Sequence, residues 1–127
     1  MTDRGWALVT GAARRLGRVL ALSAARTGHD VVVHARRPED GEETAGLVRD
    51  LGRRAIVTRG DLSDPATPAQ LIARSPEPPT LLVNCASLFE RDDIVSLTAE
   101  TLDAAWAANL RGPVLLAQAF ADRKSVV

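Results

Sequence analysis

Trp6-Ala7-Leu8-Val9-Thr10-Gly11-Ala12-Ala13-Arg14-Arg15-Leu16-Gly17 joins a short apolar run to a glycine turn, and the residues that follow take up a helical period. Trp6 to Val9 suits a buried parallel strand. Leu16, Val19, Leu20, Ser23 and Ala24 recur at i, i+3, i+4, i+7 and i+8, which predicts a helix that buries this face. Gly28 closes that helix at its C-terminal side. A strand that ends in a glycine turn and feeds a helix presents free backbone N–H groups to a pyrophosphate, assisted by the helix dipole. Gly11 lets the backbone turn, whereas Gly17, inside the helical pattern, costs stability relative to alanine unless close packing requires it. Arg14 and Arg15 add cations to the turn and point to a phosphate-bearing dinucleotide.

The rest of the chain repeats the alternation. Asp30-Val31-Val32-Val33-His34 reads as a second strand and Pro38 to Gly52 as a helix with Thr44, Leu47, Val48 and Leu51 on one face. Ala55 to Arg59 is a third strand, Pro65 to Ser75 a short helix and Thr80 to Asn84 a fourth strand. Ala99 to Asn109 and Pro113 to Ala121 are helical. Strands alternating with helices imply an α/β fold, a Rossmann-type doubly wound parallel sheet, here truncated after about four strands. Residues 1–127 read as a single dinucleotide-binding domain, incomplete on its C-terminal side. The Pro-rich stretch from Arg74 to Pro79 is a short surface connection. Two features support incompleteness. In the usual order 3-2-1-4 the fourth strand is an edge, yet Leu81-Leu82-Val83 reads as a central strand. Ala104 to Ala108 and Val114 to Ala121 are apolar nearly all round and need burial on two sides.

A formal net charge of zero gives no electrostatic case for nucleic acid or an anionic membrane as partner. The single cysteine forms no internal disulfide, and no apolar run is long enough to span a bilayer. The first strand begins too early to leave room for a signal peptide, so a cytoplasmic protein is expected. No metal is expected. Lys124 is the only lysine, so arginine is common here and any one arginine is weak support for a role.

Taken together, these residues resemble the short-chain dehydrogenase/reductases, and within them the pteridine-reductase-like branch. The resemblance covers nearly all of the chain. The common family turn is Thr-Gly-x-x-x-Gly-x-Gly; Thr10, Gly11 and Gly17 match it, while Arg15 replaces the middle glycine, as in that branch. Gly60-Asp61-Leu62-Ser63, Asn84-Cys85-Ala86-Ser87 and Asn109-Leu110-Arg111-Gly112-Pro113 complete the match. The resemblance implies that Gly11, Arg14, Arg15, Leu16 and Gly17 hold the cofactor phosphates. Asp61 and Leu62 would hold adenine, and Asn84 and Ala86 would line the cofactor beneath the sheet. Asp61 also fits a polar turn before a helix N-terminus. Cys85 stands where the family usually has a second asparagine, and is read as a small packed residue. Ser87 and Phe89 would contact a flat heterocycle such as a pteridine, Phe89 by stacking; the other reading of Phe89 is a loop anchor in the core. The asparagine carbonyl of the family holds a water in a proton relay, a role that falls to Asn109. Pro113, four residues on, cannot donate to the Asn109 carbonyl, so the helix must kink or break there with or without that water. His29 and His34 read as a turn residue and a strand-end residue.

Charge at the end of the second strand selects the cofactor. A ribose 2′-hydroxyl is usually bound by an acid there, whereas a 2′-phosphate needs cations. His34-Ala35-Arg36-Arg37 has no carboxylate before Glu39. A guanidinium can bind phosphate through two parallel hydrogen bonds, so NADPH is expected over NADH, with Arg37 as first contact and Arg36 as second. The alternative is a pair of solvated arginines before a helix. The same missing acid argues against a methyltransferase.

One departure limits the activity expected. The family reduces its substrate by hydride transfer from the nicotinamide, with a tyrosine as proton donor and a lysine four residues later. These 127 residues contain no tyrosine, and neither Lys124 nor Ser125 matches a catalytic position. The expectation is therefore the NADP(H)-binding half of an oxidoreductase, forming a homo-oligomer through the helices around 99–121. The alternatives are a non-catalytic NADP-binding or sensing module and an interaction protein whose cofactor site is vestigial.

Overall fold

Every residue of β1 (Trp6–Val9) and β2 (Asp30–Ala35) is buried, as two central parallel strands covered on both faces require. The computed structural model describes residues 3–122. Among these, β3 (Ala55–Arg59) and β4 (Leu81–Val83) complete a parallel sheet of order β3-β2-β1-β4, with β4 at an edge as expected. Side chains alternate across it. Ala7, Val9, Val31 and Val33 face α1 (Arg15–Arg26) and α2 (Pro38–Asp50). Trp6, Leu8 and Val32 face Leu71 of α3 (Thr67–Arg74) and Leu116 of α5 (Gly112–Asp122). Helices thus cover both faces, and the fold is Rossmann-like. No helix among the described residues is long and apolar enough to cross a membrane.

Several local expectations need correction. The buried face of α1 consists of Gly17, Ala21, Ala24 and Ala25, while Leu16 and Val19 are 61% and 59% exposed. Small residues let the helix axis approach the sheet, and that close approach rotates the larger side chains outward. The same rotation affects α2, which buries Gly41, Thr44, Ala45 and Val48 and leaves Leu47 exposed. α3 begins two residues later than expected because Asp64 forms a turn of its own. Its carboxylate accepts from the Ala66 N–H at 2.9 Å and its carbonyl from the Thr67 N–H at 3.1 Å.

The break expected near Asn109 takes another form. α4 (Ala99–Trp106) passes into a π-helical turn (Ala107–Arg111) and then directly into α5, with the Gly112 N–H bonded to the Ala107 carbonyl. Pro113 removes one donor from the α-helical ladder, and a wider turn carries the helix past that position.

Candidate nucleotide-binding site

The glycine turn lies where the carboxyl ends of β1, β2, β3 and β4 meet, and each neighbour contributes to its position. Thr10 fixes one side: its hydroxyl accepts from the N–H groups of Cys85 and Ala86, both at 3.0 Å, just past β4. Gly11 has φ 60, and a Cβ there would lie 2.7 Å from the Ala86 Cα, so both conformation and space demand glycine. A Cβ on Gly17 would strike the carbonyl of Gly11. The close packing that would justify a glycine within the helix is therefore contact with the turn itself. Arg15 has φ 51, the one positive φ among described non-glycine residues, at the position where the family pattern has glycine. Such a conformation disfavours side chains and is concentrated at functional sites.

His34 fixes the other side. Its carbonyl accepts from the Ala12 N–H at 2.9 Å, its Nδ1 accepts from the Gly11 N–H at 3.1 Å, and its Nε2 donates to the Gly60 carbonyl at 2.8 Å. It is 3% exposed, and burial pushes its pKa below the ordinary value, only partly opposed by the bond to Gly60. The strand-end reading of His34 was right about place and silent about these bonds. The signal available was one polar ring directly after the apolar run Val31-Val32-Val33.

Asp61 follows Gly60 and folds back on Ser63. Its Oδ1 accepts from the Ser63 hydroxyl at 2.7 Å and the Ser63 N–H at 3.0 Å. Those bonds hold its carboxyl below the usual carboxylate range, with a further contribution from the Arg36 guanidinium. Both readings of Asp61 are thus compatible, because the turn that uses Oδ1 leaves Oδ2 without a partner among the described residues. Arg111, in the π-turn, donates to the Ser63 carbonyl at 2.5 Å and lies 5.3 Å over the Trp106 ring. It ties the Gly60–Ser63 turn to the helix behind it.

Between these turns is a cavity of about 600 Å³. Gly11, Arg14, Arg15, Leu16 and Gly17 line one wall. Arg36, Asp61 and Leu62 line a second, and Ala86 and Ser87 a third. Cys85, His34 and Glu90 also reach it. As the first residues of a helix, Arg15, Leu16 and Gly17 have amides with no partner one turn back.

Four expected site residues do not line this cavity. Arg37 donates from Nε to Asp40 at 3.1 Å, and Asp40 also lies 3.7 Å from Nη2 of Arg14. The Asn84 amide donates to the Pro113 carbonyl at 3.4 Å. Phe89 is 86% exposed, which removes the reading of it as a core anchor. Asn109 uses its side chain on the backbone of Leu88, accepting from the N–H at 2.6 Å and donating to the carbonyl at 2.8 Å. It thereby anchors the loop that carries Ser87 and Phe89. Lys124 and Ser125 lie outside the described residues. Among the described residues, no group of three or more His, Cys, Asp or Glu is arranged to hold a metal ion.

The family model described as short chain dehydrogenase matches residues 5–125. The chain belongs to the short chain dehydrogenase family. A short-chain dehydrogenase/reductase of Hericium erinaceus is 36% identical over 123 residues, covering 91% of this chain and 48% of the relative. An L-rhamnose 1-dehydrogenase of a Sphingomonas strain is 28% identical over 120 residues, covering 91% and 47%. The chain spans about half the length of the curated relatives it matches. Among solved structures, a short chain dehydrogenase from Burkholderia cenocepacia in complex with NADP superposes with a TM-score of 0.85 at 32% identity, covering 91% of this chain and 49% of that one. A 3-oxoacyl (acyl-carrier-protein) reductase from Agrobacterium tumefaciens with NADP bound gives a TM-score of 0.89 at 28% identity, covering 95% and 48%. These short chain dehydrogenases differ in substrate, so family membership leaves the substrate open.

Proposed function

We propose that this chain is the NADP(H)-binding half of a short-chain oxidoreductase, with NADPH preferred over NADH. The observation that carries the reading is the cavity between the glycine turn and the Gly60–Ser63 turn, lined by Arg14, Arg15 and Arg36. The site fits the cofactor on its own geometry. Gly11 and Gly17 bring the turn close against Ala86 and against the start of α1, and the amides that open that helix are the donors a pyrophosphate would use. Two relatives of known structure hold NADP. Bound there, the nicotinamide would supply hydride; the residues of this chain bind and orient it. Arg36 would meet the 2′-phosphate directly, and Arg37 would act from the rim, held by Asp40. Asp61 would accept from the adenine amine through Oδ2, beside the Leu62 N–H.

The finer reading is a pteridine-reductase-like enzyme acting on a flat heterocycle. It is favoured by Arg15 in a glycine conformation and by Phe89, exposed beside Ser87 and free to stack. These 127 residues include no tyrosine to act as proton donor, so we assign them binding and not turnover. We further propose a cytoplasmic homo-oligomer, because Leu102, Trp106, Leu110 and Val114 are each at least half exposed along α4, the π-turn and α5.

The test is a fluorescence titration of the full chain with NADPH and NADH. Arg36→Asp should reduce the NADPH preference by about tenfold or more, the size expected for a lost charge-assisted phosphate bond. Arg37→Asp should reduce it less. An unchanged affinity ratio in both variants would sink the assignment.

A further inference from the structure

The two turns that enclose the cavity come from strands that are not neighbours. The glycine turn follows β1 and the Gly60 turn follows β3, with β2 between them. His34, at the end of β2, reaches both: Nδ1 takes the Gly11 N–H and Nε2 gives its proton to the Gly60 carbonyl. We propose that His34 is a positioning residue of the nucleotide site, its imidazole stapling the phosphate-side turn to the adenine-side turn and setting the gap between them. The inference rests on the NADPH reading above for what enters the gap, and on the hydrogen bonds alone for the staple.

The donor inventory determines the form of the ring. A backbone N–H can only donate, so Nδ1 must carry no proton; a carbonyl can only accept, so Nε2 must carry one. A single neutral tautomer satisfies both bonds at once. A protonated ring would turn an N–H toward the Gly11 N–H and place a cation 3% exposed, and one side of the staple would open. The charged groups lining the same cavity are Arg14 and Arg15 of the glycine turn, Arg36 beyond the strand, Asp61 beside Gly60, and Glu90 of the loop after β4. From β3, the residue opposite in register is the uncharged Thr58. The three arginines oppose protonation and the two carboxylates favour it, and none is hydrogen-bonded to the ring among the described residues.

Two substitutions separate the two bonds. His34→Asn places an acceptor near the Nδ1 position and lacks the reach to Gly60; His34→Gln carries a donor near the Nε2 position. His34→Ala removes both. In the full chain, NADPH titrations from pH 5 to 8 and amide hydrogen exchange at Gly11 without nucleotide read the site and the staple independently. Removing the ring leaves buried backbone groups unpaired, so His34→Ala should weaken NADPH binding about tenfold and speed Gly11 exchange by a similar factor. His34→Asn should restore Gly11 protection and His34→Gln should not. Wild-type affinity should fall on acidification more steeply than that of His34→Asn, which subtracts titration of the nucleotide's own phosphate near pH 6. NADPH affinity and Gly11 exchange unchanged in His34→Ala would overturn the proposal. If the wild-type chain binds no NADPH, the proposed function fails. The exchange pattern alone then judges the staple: protection lost in Ala and regained in Asn supports it, and protection unchanged overturns it.

Discussion

Asp40 illustrates how one carboxylate can tune a phosphate site. It faces Arg37 at 3.1 Å and Arg14 at 3.7 Å, so on the proposed NADPH reading a 2′-phosphate would share those cations with it. All three side chains are partly solvated, and exposed pairs contribute only about 0.2–1 kcal/mol. Asp40→Asn should therefore raise NADPH affinity about two- to fivefold at low salt, with the gain shrinking as salt is added. It should also lower the thermal midpoint slightly, because Asp40 sits in the first turn of α2 where the helix dipole favours an acid. An affinity that falls would mean that Asp40 orients the arginines and does not compete for them. His34 adds a pH signature. Its folded pKa lies below the ordinary 6.5, so the unfolded chain binds the proton more readily. Its contribution is complete above pH 6.5 and is lost as pH falls through the folded value. Denaturant midpoints of the wild type should drop across that window, while His34→Asn should stay flat until carboxylates such as Asp61, lowered from 3.8, begin to protonate. Parallel curves would remove His34 from the account. That His34 holds two turns was not legible in its strand, since both partners are backbone groups distant in sequence.

The helices show where local pattern misleads. In α1 the periodicity put Leu16, Val19, Leu20, Ser23 and Ala24 on the buried face; the residues buried are Gly17, Ala21, Ala24 and Ala25, because the sheet needs a thin helix surface. Size, and not hydrophobicity, selected the face. The helix from Ala99 to Asp122 was legible as helical on both sides of Gly112-Pro113, and the spacing of Pro113 to Asn109 identified where the ladder must change. That the change is a π-turn depends on what the turn holds. Asn109 clamps Leu88 and Arg111 clamps Ser63, so two of the three walls of the cavity are tied to this one widened turn. Asn109→Ala should cost about 1 kcal/mol, since its bonds are solvent-exposed. Exchange of the Leu88 amide should speed markedly while that of the β1 and β2 amides is unchanged. Equal exchange at Leu88 in both chains would show that the loop is held by other contacts.

Across the molecule, among the described residues, the sheet ends at β4, whose three residues are only half-buried although all are apolar. Along α4, the π-turn and α5 run the exposed Leu102, Trp106, Leu110 and Val114. If that ridge joins two copies, Leu110→Glu should shift the sedimentation coefficient of the full chain to that of a monomer. The thermal midpoint at low concentration should barely move, because the side chain is already solvated. A wild-type chain that sediments as a monomer would end the oligomer reading. Element order, parallel pairing, the edge position of β4 and the location of the glycine turn all followed from periodicity and glycine placement, because each depends on neighbours within a few residues or on the handedness of crossovers. The sequence likewise indicated Arg15 and Arg36 as cations near a phosphate site, since turns and strand ends bring such residues to one edge of a parallel sheet. Only the packed chain decided that Arg36, and not Arg37, lines the cavity. Likewise, only packing put Phe89 in solvent and made His34 the link between two turns. The His34 link depends on Gly11 and Gly60, which meet across strands far apart in sequence, and no local pattern records that distance.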